Sequence, residues 1–101
     1  ADLATEAAGR VLLRSDPRVV ELDRRAVADL PPAVSRRILR LYCDRLVGWT
    51  GTVGATHLRA LEALARGRSP GTRADLPRGL KARRKGPVLI LALDRPEAPS
   101  R

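Results

Sequence analysis

Between Pro32 and about Val47 the apolar residues recur at helical spacing. At about 100° per residue, Val34, Ile38, Leu39, Leu41, Tyr42 and Leu46 fall within about 160° of arc. Arg36, Arg37, Arg40 and Asp44 fall on the other side. The pattern predicts a helix with one buried stripe, opened by Pro31-Pro32 and stopped by Gly48. Arg45 lies inside the apolar arc, where a long side chain has to snorkel.

The flanking segments read less cleanly. Asp2 to about Arg14 is Ala-rich and helix-prone, but its apolar residues form no single stripe. A helix this short is marginal alone, so it is expected to lean on something or to end a longer helix. Ser15-Asp16-Pro17 stops it, and Val19-Val20-Glu21-Leu22 is short and extended. Asp23 is the expected N-cap of a short helix, Arg24 to Leu30. After a Gly-containing loop from Trp49 to Ala55, Thr56 is the expected cap of a helix running to about Arg66, with Gly67 as its stop. Leu58, Leu61, Leu64 and Ala65 face inward there, and Glu62 pairs outward with Arg66.

Beyond Arg68 the period changes from helix to strand. Arg73 to Pro77 reads as an edge strand, Leu80 to Lys85 alternates, Gly86-Pro87 turns, and Val88 to Leu93 runs apolar. The last strand is apolar on both sides, so helices should cover one face. The expected fold is α+β and mainly helical, with three to four short helices packed on a small C-terminal antiparallel hairpin or three-stranded sheet. The expected organisation is the end of a linker helix at 1–15, one domain at 16–93 and a disordered tail at 94–101. No internal repeat is visible.

Composition narrows the function. The chain has 101 residues, no Phe, one Tyr and one Trp. Its core must come from Leu, Val, Ile and Ala, which leaves no room for a large apolar substrate pocket. There is no Met, and the chain opens on helix-forming residues, as expected of a piece of a longer polypeptide. The formal charge of +9 favours a polyanionic partner, RNA, DNA or an anionic membrane surface, although solubility and a GC-rich codon bias also enrich Arg. A lone Cys43 excludes an internal disulfide and fits a reducing, cytoplasmic compartment. No apolar run approaches the roughly 20 residues that span a bilayer, so no membrane partner is expected.

No catalytic constellation is legible. Gly48, Gly51 and Gly54 form no phosphate loop, because no strand precedes them and no Lys-Ser/Thr follows. One Cys and one His are too few to hold zinc, so no metal site is expected. His57 reads as packing or capping, Cys43 as a buried inert thiol, and Trp49 as a lid on the core. The candidate residues are the cations. Arg36, Arg37 and Arg40 share a helical face; Lys81, Arg83, Arg84 and Lys85 share a hairpin arm, with Arg78 near its base. Guanidinium forks suit phosphate, so both groups are candidate RNA or DNA contacts, with a solvated surface as the alternative.

The order of segments resembles the C-terminal region of the tRNA(Ile)-lysidine synthetase family. The resemblance runs from about Val19 to Leu93. It rests on Leu30-Pro31-Pro32-Ala33-Val34-Ser35-Arg36-Arg37-Ile38-Leu39-Arg40, on Thr56-His57-Leu58-Arg59-Ala60-Leu61, and on Gly71 to Arg84 around Asp75-Leu76-Pro77-Arg78-Gly79. Arg78 stands where the family pattern has Gly, which is expected to relax a turn. The resemblance implies an ATP-dependent ligase that adenylates the wobble cytidine of an isoleucine tRNA and joins lysine to it. The implied chemistry belongs to an N-terminal catalytic domain with an S-G-G-x-D-S loop, using ATP with magnesium; that loop is not among these residues, and no cofactor is expected here. These residues would form the tRNA-gripping substrate-binding domain, with tRNA and the catalytic domain as partners. The alternatives are a winged-helix DNA-binding module, disfavoured by the long Gly48 to Ala55 loop and by a would-be reading helix that offers only Arg59, Glu62 and Arg66, or a basic interaction scaffold.

Overall fold

A computed structural model of the chain describes residues 3–48, 51, 53–68 and 71–93. The expected lid role of Trp49 and the expected tail at 94–101 lie outside these residues. Four helices and five strands follow in the order α1 (Leu3–Val11), β1 (Leu12–Ser15), β2 (Val19–Asp23), α2 (Arg24–Asp29), α3 (Pro32–Val47), α4 (Ala55–Arg66), β3 (Arg73–Asp75), β4 (Leu80–Lys85) and β5 (Val88–Leu93). The strands form one antiparallel sheet in the order β1-β2-β5-β4-β3, and the helices lie on one of its faces.

The α+β class holds, but the sheet is wider than a C-terminal hairpin or three strands. Val20 stands opposite Leu91 and Leu22 opposite Leu89, so β2 extends the C-terminal hairpin from a distant part of the chain. The pairing is legible only in three dimensions, because each strand satisfies its ladder with a partner about 70 residues away. The first segment also differs from expectation. It turns from helix to strand after Val11, because Asp16 to Val19 closes a tight turn with reciprocal backbone hydrogen bonds that return β1 onto β2. Pairing here outweighs the helix propensity of Leu12 to Arg14.

Strand alternation builds the core. Val20, Leu22, Leu80, Ala82, Leu89 and Leu91 point to the helix side and are buried. Ile38, Leu39, Tyr42, Cys43 and Leu46 of α3 meet them with Leu58, Leu61, Leu64 and Ala65 of α4. As expected, helices cover one side of β5. Its other side, Val88, Ile90 and Ala92, is half-buried on the open face of the sheet.

Local chemistry sets the helix ends. The Asp23 carboxylate accepts from the Ala26 amide at 3.1 Å, the expected N-cap of α2. Gly48 and Gly67 take the left-handed conformation that closes α3 and α4, also as expected. The start of α4 is a correction: Gly54, not Thr56, is the N-cap, and His57 Nδ1 accepts from the Gly54 amide at 3.3 Å. A capping role for His57 was one of the two expected. The expected support for α1 comes from α3: the Tyr42 hydroxyl donates to the Ala8 carbonyl at 2.8 Å, one of the last four carbonyls of α1, which have no partner within the helix.

Two side chains of α3 sit differently from the apolar arc. Leu41 is 43 % exposed, because the stripe is centred on Tyr42 and Leu39 and leaves Leu41 at its rim. Arg45 escapes the arc by lying over the Tyr42 ring, 5.6 Å from its centroid, with its head in solvent.

Candidate nucleic-acid interface

The two basic groups lie on opposite sides of the molecule. Strand alternation sends Lys81, Arg83 and Lys85 to the open face of the sheet, away from the helices. Arg73 stands opposite Arg83 on the same face. The row beside them is apolar, Ala92, Ile90 and Val88 of β5, and beyond it stand Glu21 and Asp23 of β2. Glu21 also accepts from Arg14 at 3.5 Å. On the open face, then, β4 is cationic, β3 balances Arg73 with Asp75, which stands opposite Lys81, and β2 is anionic.

Arg84 parts from its neighbours. It faces the helix side, opposite Leu89, and its guanidinium reaches the end of α4, where a Cβ placed at Gly67 would stand 3.0 Å from Nη1. Gly67 is at φ 71°, a left-handed backbone that calls for glycine, while the nearby arginine head ends a flexible side chain that can give way. Arg78 is exposed at the base of the arm, with φ 61° and ψ 32°. An arginine there does not relax the turn. The left-handed geometry persists, and a side chain occupies a conformation that glycine adopts freely.

On the helix layer, α3 and the first turns of α4 enclose a groove of about 280 Å³. Arg36, Arg37, Arg40 and Arg59 line it, over a floor of Ala33, Ala55 and Leu58. All four arginines are exposed. Arg36 is also tied down: its Nε donates to Glu62 Oε1 at 2.9 Å. Glu62 is the main surprise on this face. The i,i+4 pairing to Arg66 exists, at 3.5 Å, but the carboxylate is buried, not outward. Ser35 Oγ donates to Glu62 Oε2 at 3.3 Å, so three side chains from both helices converge on one carboxylate. A buried charge is tolerable when it is paired and hydrogen-bonded in this way.

Sequence spacing did not reveal a third basic group. The packing of α2 against α4 brings Arg24 and Arg25 to Arg66 and Arg68, around a hollow of about 370 Å³ that Asp29 also lines. Arg24 donates to the carbonyls of Ala65 and Gly86, both at 2.9 Å. The Ala65 carbonyl lies in the last turn of α4, where orphan acceptors and the negative end of the helix dipole attract a cation. Arg25 and Arg68 remain exposed at the rim. The α2 and α4 arginines are about 40 positions apart in sequence, and Arg24-Arg25 is the one adjacent pair among them.

The remaining polar groups are structural. Cys43 is fully buried, and its thiol is pushed up to about 12, first by loss of solvent and then by the adjacent Asp44 carboxylate. It is the inert thiol expected. Burial also raises the Tyr42 phenol, opposed by the charge of Arg45. Among the described residues, no three His, Cys, Asp or Glu side chains gather as a metal ion requires. No helix of the described residues is long and apolar enough to cross a membrane. Neither a protein-family model nor a curated protein matches this chain.

Proposed function

We propose that this domain grips the phosphate backbone of a folded tRNA through the outer face of its helix layer, as the substrate-binding part of a tRNA(Ile)-lysidine synthetase. The observation that carries the proposal is the groove where Arg36, Arg37, Arg40 and Arg59 stand together over a small apolar floor. Each guanidinium offers a planar fork to a phosphate, and the N-terminal end of α4 adds its positive dipole. Arg36 presents its free Nη groups from a fixed position, because Glu62 holds its Nε. The chain's excess of 20 Lys and Arg over 11 Asp and Glu supplies long-range attraction.

In this reading the reaction itself, adenylation of a cytidine followed by attachment of lysine, takes place on an N-terminal catalytic domain in the cytoplasm. The ATP and magnesium it uses belong, in this reading, to that domain. The domain's part is to bind and orient the RNA. Lys81, Arg83 and Lys85 face away from the groove and contribute attraction at a distance.

Fluorescence anisotropy with folded tRNA and with duplex DNA, each at two salt concentrations, tests the proposal. Micromolar or weaker tRNA binding that falls steeply with salt is expected. Changing Arg37, Arg40 and Arg59 to Glu should abolish it while leaving the circular dichroism unchanged; Arg36 is spared because Glu there would face Glu62. Preference for duplex DNA would favour the winged-helix alternative, and absence of salt-dependent binding to either would favour an interaction scaffold.

A further inference from the structure

The outer surface of α4 joins the groove to the third basic group. From the groove, Arg36 reaches Glu62 Oε1 at 2.9 Å; from the other end, Arg66 reaches Glu62 Oε2 at 3.5 Å. Arg66 in turn lines the hollow with Arg25 and Arg68. The two arginine clusters are thus the ends of one track, and a single buried carboxylate sits at its midpoint.

We infer that this α2–α4 end is a second backbone-binding site, with Arg25 and Arg68 as its contact residues, and that one nucleic-acid strand runs along α4 from the groove to reach it. The inference rests on the polyanion reading of the groove and extends it.

Dimensions fit, and the hollow stays positive when Asp29 is counted against Arg25, Arg66 and Arg68. Arg59 and Arg66 are seven residues apart, which at 1.5 Å per residue is roughly 10 Å along the helix, about three base-pair rises. The clusters at either end lengthen the track beyond that. Glu62 opposes an incoming phosphate less than an exposed carboxylate would, because Ser35, Arg36 and Arg66 already enclose it. It acts as a positioning residue: two long, rotamer-rich side chains are held before the ligand arrives, so less entropy is lost on binding. Arg25 and Arg68 make no salt bridge with any described residue, so their guanidiniums are available to a phosphate.

The test is a salt series of tRNA binding to the full chain, comparing wild type with a double variant, Arg25→Glu with Arg68→Glu, and with Arg25→Gln/Arg68→Gln in case the reversal perturbs folding. Each neutralised phosphate contributes about 0.9 to the slope of log affinity against log salt. Removing two cationic partners should therefore lower that slope by roughly 2 and weaken binding at low salt by on the order of a hundredfold. Arg25→Lys/Arg68→Lys should keep most of the slope. If the slope is unchanged in both neutralised variants while Arg40→Glu/Arg59→Glu still weakens binding, the second site does not exist and the groove alone binds. If neither cluster matters, the groove reading fails as well.

Discussion

Two single residues report on the local physics. Cys43 is sealed between α3 and the sheet, with its thiol raised from 9.0 to about 12. In the folded protein it should not react with a disulfide reagent at neutral pH, and should react at once when denaturant opens the core; native-state labelling at the rate of a free thiol would refute its burial. The unfolded thiol ionises near 9 and the folded one near 12, so its contribution to stability is intact below about pH 9 and is lost as pH rises toward 12. Cys43→Ala should remove that part of the alkaline slope in denaturation curves. Arg78 carries the other signal, a non-glycine residue in the left-handed region beside Gly79. Arg78→Gly should stabilise the fold by about 1 kcal/mol, seen as a rise of a few degrees in Tm. A fall in Tm would mean that contacts of the Arg78 side chain outweigh its backbone cost.

Among the elements, α3 and α4 are held together by one polar contact set within an otherwise aliphatic interface. Glu62 is 6 % exposed, and its partners Arg36 and Arg66 reach it from the surface. Glu62→Ala removes the acceptor of Arg36 and Arg66 and one of the two acceptors of Ser35, whose hydroxyl keeps the Pro32 carbonyl at 3.1 Å, and should cost about 1–2 kcal/mol in urea denaturation; the partly exposed arginines place the value below that of a fully buried pair. Glu62→Gln keeps the shape and some hydrogen bonding and should cost less. If Glu62→Ala is neutral, the carboxylate holds neither helix. Between α1 and α3 the Tyr42 hydroxyl is the corresponding link, and Tyr42→Phe should cost about 1 kcal/mol by the same measurement.

At the scale of the molecule, the decisive fact is that the layers separate the charges. The helix-layer arginines and the Lys81, Arg83 and Lys85 row are on opposite sides of a two-layer sandwich, roughly 20 Å through from sheet to outer helix surface. One straight backbone cannot lie on both. Reversing Lys81, Arg83 and Lys85 to Glu should therefore weaken tRNA binding at low salt, through weaker long-range attraction, and have little effect near physiological ionic strength, where the Debye length is about 8 Å. Reversing Arg37, Arg40 and Arg59 should weaken binding under both conditions. The opposite ranking in the anisotropy series would move the interface to the open face of the sheet.

The helix Pro32–Val47, the Asp23 cap, the glycine stops and the C-terminal hairpin were all readable along the chain, because each depends on neighbours within a few positions. The buried thiol followed equally from local residue chemistry. What spacing could not reveal was which side of each element meets another. Glu62 looks outward on a helical wheel until Ser35 and Arg36 cross above it. Arg83 and Arg84 look like one basic arm until the strand sends them to opposite faces. Arg25 and Arg68 look unrelated until α2 packs on α4. Periodicity encodes the burial of an element's own residues, whereas a shared surface needs segments far apart in the chain to be brought side by side, and only the packed core does that.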